Sequence, residues 1–180
     1  TTDTDRFRPT TIEGVAAMPV LGSEIDAENL TLTFVAEFSA PVERVWQVWE
    51  DPRQLERWWG PPTWPATFER FEFEVGGRAD YYMTGPDGTK AHGWWRITAI
   101  DSPVRLSLED GFADGSGNPI DEDDTNSTVA VLETVATGTR MTVIATFKDL
   151  AQLERLSAMG MQEGMTAAMS QIDAILVTAA

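Results

Sequence analysis

Few residues in this chain have the type and spacing to move a proton or hold a polar ligand. His92 is the one histidine, so a Ser-His-Asp triad has to be completed by that residue, and a multi-histidine metal site is excluded. It shares a predicted strand face with Trp94, Arg96 and Thr98. His92 and Arg96 are polar handles if that face lines a cavity, and solvated groups if it does not. Four carboxylates, Glu72, Glu74, Asp80 and Glu133, are candidates for acid-base work, which requires a place in a cavity and a pKa raised by desolvation. Glu133 interrupts the run between Val131 and Val135. It is read either as a buried ligand contact or as the ion-pair partner of Arg96 or Arg140, the pair being the commoner arrangement. No catalytic set is assigned; His92, Arg96 and Glu133 are the candidates should the protein do chemistry. Phosphate loops, dinucleotide fingerprints and nucleophile elbows are missing from the sequence.

The segment 109–124 carries seven carboxylates and no basic residue. Counted from Asp114, the position where a calcium loop needs glycine is Pro119, and the position of its closing glutamate is Thr125. The expectation is therefore a solvated loop, with no metal site and no cofactor. A larger signal lies in the apolar residues, seven tryptophans beside seven methionines. Met161, Met165 and Met169 are spaced i, i+4, i+8 on one helical face, where they serve as core and, being flexible thioethers, suit a permissive pocket. Trp46 and Trp49 stand at i and i+3 on a short predicted helix, the spacing of core residues. Trp58 and Trp59 cannot both point inwards from an extended loop, so one is expected at a pocket mouth as a gate. Phe71, Phe73, Tyr81, Met83 and Trp95 complete the set expected to line an apolar ligand site with Trp46, Trp49, Trp59 and the three methionines.

Composition narrows the partners. With 29 acidic against 13 basic residues the formal charge is -16, which disfavours nucleic acid and anionic membrane surfaces and leaves neutral, apolar or cationic molecules. There is no cysteine, so no disulfide, zinc-thiolate site or thiol nucleophile exists, and stability has to come from packing. No apolar run reaches the roughly 18 residues of a membrane span, and the first residues lack a signal-peptide pattern. A cytoplasmic protein, monomer or homodimer, is the expectation.

The elements that must position these residues are legible as changes of period. Residues 1–27 show no sustained period and are expected as a tail or arm, with a domain over 28–178. From Leu30 to Phe38 apolar and polar residues alternate as in a half-buried strand. Ser39 and Pro41 open a helix that Asp51-Pro52 ends, and a second short helix follows. Extended runs at 66–75, 78–84, 91–100, 104–109, 128–137 and 139–147 are separated by turns such as Gly85-Pro86-Asp87-Gly88. A helical stripe then runs from Asp149 to about Val177, with Gly160 and Gly164 allowing a bend or a close approach. This order predicts an α+β domain, an antiparallel sheet with a terminal helix on its apolar face.

That order, with Ser39-Ala40-Pro41, Val45-Trp46, Trp58-Trp59-Gly60-Pro61, Val75-Gly76-Gly77, Tyr82-Met83, Gly85-Pro86-Asp87-Gly88 and Gly164, resembles the bacterial activator of heat-shock-protein-90 ATPase homologues in the START-like, Bet v 1-type superfamily. The resemblance covers about Leu30 to Leu176. It implies a helix-grip fold, a seven-stranded curved antiparallel sheet around a long C-terminal helix, enclosing a cavity. The chain departs from the family pattern at Met161 and at Gly164-Met165, where relatives carry histidine and Gly-Trp, and at Glu74, where they carry a basic residue. The first expectation is a carrier of a small hydrophobic or aromatic molecule. The others are a cyclase- or hydrolase-like enzyme using the same cavity and a protein-interaction domain of chaperone or stress biology.

Overall fold

The computed structural model describes residues 20–177. Eight strands form one antiparallel sheet: β1 Val20–Asp26, β2 Thr31–Phe38, β3 Ala66–Phe71, β4 Arg78–Thr84, β5 Lys90–Asp101, β6 Arg105–Ala113, β7 Asn126–Val135 and β8 Gly138–Thr146. Their spatial order is β1-β2-β8-β7-β6-β5-β4-β3, so the sheet is a pair of meanders joined by β2 against β8, and it stays open. Between β2 and β3 lie α1 Val42–Glu50 and α2 Pro52–Leu55, and after β8 come α3 Leu150–Ala158, α4 Met161–Met169 and α5 Ile172–Leu176. The helices cover one face of a curved sheet, which is the expected α+β helix-grip architecture.

Two expectations change. The sheet has eight strands rather than seven, because Val20–Asp26, inside the stretch expected as a tail, pairs with residues 31–36 of β2. Edge pairing is driven by backbone hydrogen bonds, which leave no alternation in the sequence; Glu24 and Ile25 are both exposed, and the register shifts between Val20 and Gly22. The rest of the expected tail, residues 1–19, lies outside the described residues. The long C-terminal helix is three helices. Gly160 takes a left-handed backbone with φ 86° between α3 and α4, a conformation that side chains oppose. Gly164, by contrast, sits within α4 with open space where a Cβ would project.

Local chemistry accounts for the helix ends. The Asp51 carboxylate accepts the Arg53 N–H at the start of α2, and Asp149 accepts the Gln152 N–H at the start of α3. Alternation accounts for the core. Leu32, Phe34, Ala36 and Phe38 of β2, Leu106 and Leu108 of β6, Ala130 and Leu132 of β7, and Met141, Val143 and Ala145 of β8 all face the helices and are buried. Under α1 and α2 the tryptophans close the space: Trp49, Trp58 and Trp95 are fully buried, and the Trp58 indole N–H donates to the Val48 carbonyl at 2.9 Å. Each of these rings removes roughly 150–250 Å² from water, worth about 4–6 kcal/mol at ~25 cal/mol per Å².

Candidate functional site

Toward the other end of the interior the packing opens into a cavity of about 270 Å³ between the inner faces of β4 to β7 and the helices α3 and α4. Its walls are mostly apolar: Trp59, Met83, Leu156, Met161 and Met165, with Phe112 and Met159 as exposed residues on the lining. Space survives here because α4 presents Gly160, Gly164 and half-buried thioethers instead of rings. The Gln171 amide donates to the Gly60 carbonyl at 2.7 Å and so ties the end of α4 to the loop carrying Trp59.

Polar groups also line the cavity, Asp110, Asp124, Asn126, Gln152 and Arg155 among them. Asp110 of β6 lines the cavity and accepts a hydrogen bond from the Tyr81 hydroxyl of β4 at 3.1 Å, two strands away. The reach is possible because Gly93 of β5 lies between them; a Cβ there would stand 2.4 Å from the Tyr81 hydroxyl. Burial pushes the Asp110 carboxyl up to about 7, while the Tyr81 hydroxyl and the Gly111 N–H pull it the other way. Tyr81 is raised well above its ordinary value, first by burial and then by the neighbouring Asp110 charge. The indole N–H groups of Trp59 and Trp95 oppose that rise, although neither reaches a partner with ordinary hydrogen-bond geometry. Asn126, opposite Asp110 on β7, is buried with its amide nitrogen unpartnered.

A second polar cluster closes one end of the cavity. Arg155 of α3 donates to both oxygens of Asp124 at 2.8 Å, the Lys148 ammonium lies 3.3 Å from the same carboxylate, and the Gln152 amide donates to it at 3.1 Å. These cations hold the Asp124 carboxyl below its usual range, Arg155 most strongly. The cluster pins the end of the acidic loop to α3, so this part of the segment 109–124 is held rather than freely solvated.

Of the residues singled out from sequence, Trp59, Tyr81, Met83, Met161 and Met165 meet at the cavity. Trp46, Trp49, Trp95 and Met169 are buried in the filled core instead and do not line it. Phe71 and Phe73 stack on each other at 5.8 Å beside that core. The helical spacing of these residues marks an inward face, and the filled core and the cavity share that face. Trp58 and Trp59 are both buried, against the expectation of one ring at the mouth. Their backbone is turned rather than extended, with both N–H groups donating to the Leu55 carbonyl.

The polar candidates lie elsewhere. His92 is on the outer sheet face, its ring 5.6 Å from Tyr82. Arg96 also faces outward, paired with Glu109 at 3.4 Å and 5.3 Å over Trp94. Glu133 is exposed, because Ala130 and Leu132, not Val131 and Val135, form the inner face of β7. Its expected partners are taken: Arg140 pairs with Glu37 at 2.8 Å. Trp95 points inward and Trp94 outward, where it is nonetheless buried beside Arg78 and Gly111. Asp80 pairs with Arg78, and Glu72 with Arg70.

Sequence reasoning misses Asp110, because a strand that ends at Glu109 leaves it in the acidic loop. The period-two rule carried one step further, through Leu106 and Leu108, puts it on the inner face. Among the described residues no cluster of histidine and carboxylate side chains could hold a metal ion, and no helix is long and apolar enough to cross a membrane.

Comparison with known proteins agrees with this architecture. No curated protein matches. A solution structure of a protein from Arthrobacter aurescens shares 57% identity, covers 86% of this chain and 90% of its own, and superposes with a TM-score of 0.82. A crystal structure of a protein from Mycobacterium smegmatis shares 45% identity over 90% of this chain and 99% of that one, with a TM-score of 0.81. One from Nitrosomonas europaea shares 26% over 84% and 96%, at 0.72. The family described as Activator of Hsp90 ATPase homolog 1-like protein matches residues 39–177, and it is to that family that the chain belongs.

Proposed function

We propose that this protein binds a small, predominantly apolar molecule in the cavity between its sheet and α3–α4, and holds it without changing it. The observation that carries this reading is the cavity itself, about 270 Å³ walled by Trp59, Tyr81, Met83, Met161 and Met165. Binding energy comes from burying ligand surface against rings and thioethers, while a few polar groups fix orientation. The volume is near the lower end of small-molecule sites, roughly 300–1,000 Å³, which favours a compact ligand. Native mass spectrometry of freshly purified protein tests it directly, a carried-through adduct being the expected result. Titration of Met165→Trp, which fills the cavity with a ring, is expected to weaken binding of any such ligand at least about tenfold. Unchanged affinity would remove the cavity as the site.

A second reading rests on Asp110, a carboxyl titrating at about 7 inside the cavity. In a cyclase- or hydrolase-like enzyme it would be the group that transfers a proton. Asp124 and Arg155 neutralise each other, which leaves Asp110 to serve as both acid and base. Turnover of a bound ligand by the wild type and its loss in Asp110→Asn would establish this reading over the carrier.

A further inference from the structure

We infer that the cavity selects a hydrophobic amine, a cationic nitrogen on a compact apolar body, with Asp110 as the counter-charge and Trp59 and Tyr81 as the aromatic walls around it. The inference deepens the binding function proposed above and rests on it. Its basis is the company Asp110 keeps. The protein groups acting on its carboxyl, the Tyr81 hydroxyl and the Gly111 N–H, are both neutral donors, which favour the carboxylate without neutralising it. No cation among the described residues does so. From β5, packed on one side, Trp95 faces in while Arg96 faces out to Glu109; from β7, on the other, the neighbour is the uncharged Asn126. Across the cavity α4 contributes Met161, Gly164 and Met165, and α3 contributes Arg155, the one cation among the described lining residues. That guanidinium is bound through both oxygens of Asp124.

A half-buried carboxylate facing a cavity, with donors but no counter-ion, costs free energy that a ligand's ammonium group can recover. Aromatic faces attract a desolvated cation, and polarisable methionine sulfurs line the rest. The formal charge of -16 draws cations toward the whole molecule. A neutral hydroxyl ligand can donate to the carboxylate but does not neutralise it, and neither a hydroxyl nor a carbonyl ligand gains from the aromatic faces or the net charge as a cation does. The carboxyl's position near 7 makes the selection switchable: the amine binds the ionised form, so affinity rises as pH climbs toward 7 and levels off above it.

The test uses two probes of equal shape, naphthylmethylamine and the neutral naphthylmethanol, titrated calorimetrically into the full chain at about pH 5.5 and about pH 8.5. The amine is expected to bind at least about tenfold more tightly than the alcohol at the higher pH and to lose at least about tenfold of its own affinity at the lower. Asp110→Asn is expected to abolish the preference while the alcohol still binds. Tyr81→Phe, which keeps the ring but removes the donor, is expected to move the midpoint of the pH response upward. Equal binding of the two probes, or an amine preference that survives Asp110→Asn, overturns the amine assignment and leaves the apolar cavity standing. Failure of both probes to bind the wild type overturns both.

Discussion

Beneath α1 and α2 the inner face of the sheet is covered by rings, whereas beneath α4 it is covered by thioethers and glycines. In the first region Trp49 and Trp58 meet edge to face at 4.7 Å, and Trp59 meets Trp95 at the same separation. In the second, Met83, Met161 and Met165 are only half-buried and border a cavity. Rings interlock and fix one another, so the first region carries stability. Flexible side chains leave room and can repack around a guest, so the second is where the proposed ligand is held. The Trp58 indole has its carbonyl, while Asp110 sits in the cavity wall with a hydroxyl and no counter-charge.

The contrast can be broken from the filled side first. Trp49→Ala is expected to cost about 3–5 kcal/mol in chemical denaturation, the usual range for truncating a buried aromatic residue. A loss under about 1 kcal/mol would mean that the two regions are equally loose. On the cavity side the largest effect has the opposite sign. Asp110 has a folded-state pKa of about 7, above its ordinary 3.8. The stability this carboxyl contributes is therefore present below about 3.8 and is lost as pH rises through about 7. Asp110→Asn removes that loss, so the variant is expected to be more stable than the wild type by about 2–4 kcal/mol at about pH 8. At about pH 3.5 the two should be indistinguishable. Thermal melts across that range decide the matter, and a gap that does not change with pH would place Asp110 in solvent.

Smaller effects sharpen the border between the regions. Gly93→Ala puts a methyl group where the Tyr81 hydroxyl lies. It is expected to cost about 1–3 kcal/mol and to separate Tyr81 from Asp110, seen as a change in the carboxyl's titration by NMR. Met165→Ala enlarges the cavity at a half-buried position. Its expected cost is about 1 kcal/mol, well below that of Trp49→Ala, because the side chain has few neighbours to lose.

Much of the strand and turn pattern is legible in the residues themselves. Leu30 to Phe38 alternates because one face of β2 is buried, and the Gly85-Pro86-Asp87-Gly88 turn follows from backbone preferences that act within four residues. β1 is not legible in this way, since an edge strand gains most from backbone pairing and needs no apolar period. The helix stripe of Met161, Met165 and Met169 has the spacing of one continuous surface. Met169 nevertheless packs into the core and the other two line a cavity, because α4 approaches the filled region only at its C-terminal end.

The class of the fold, the excess of negative charge, the want of thiols and the apolar, aromatic character of the interior are all set at the level of sequence. They depend on local period and on composition, both properties of the chain. Which inward residues fill space and which enclose it is settled at the tertiary level, because a cavity is a shortfall of volume summed over β4 to β7, α3 and α4 together. The same holds for Asp110, one of seven acidic residues in a segment that reads as solvated, which faces that cavity under Tyr81. A carboxylate's chemistry is set by the water it loses and the charges it meets, and both are supplied by residues distant in sequence.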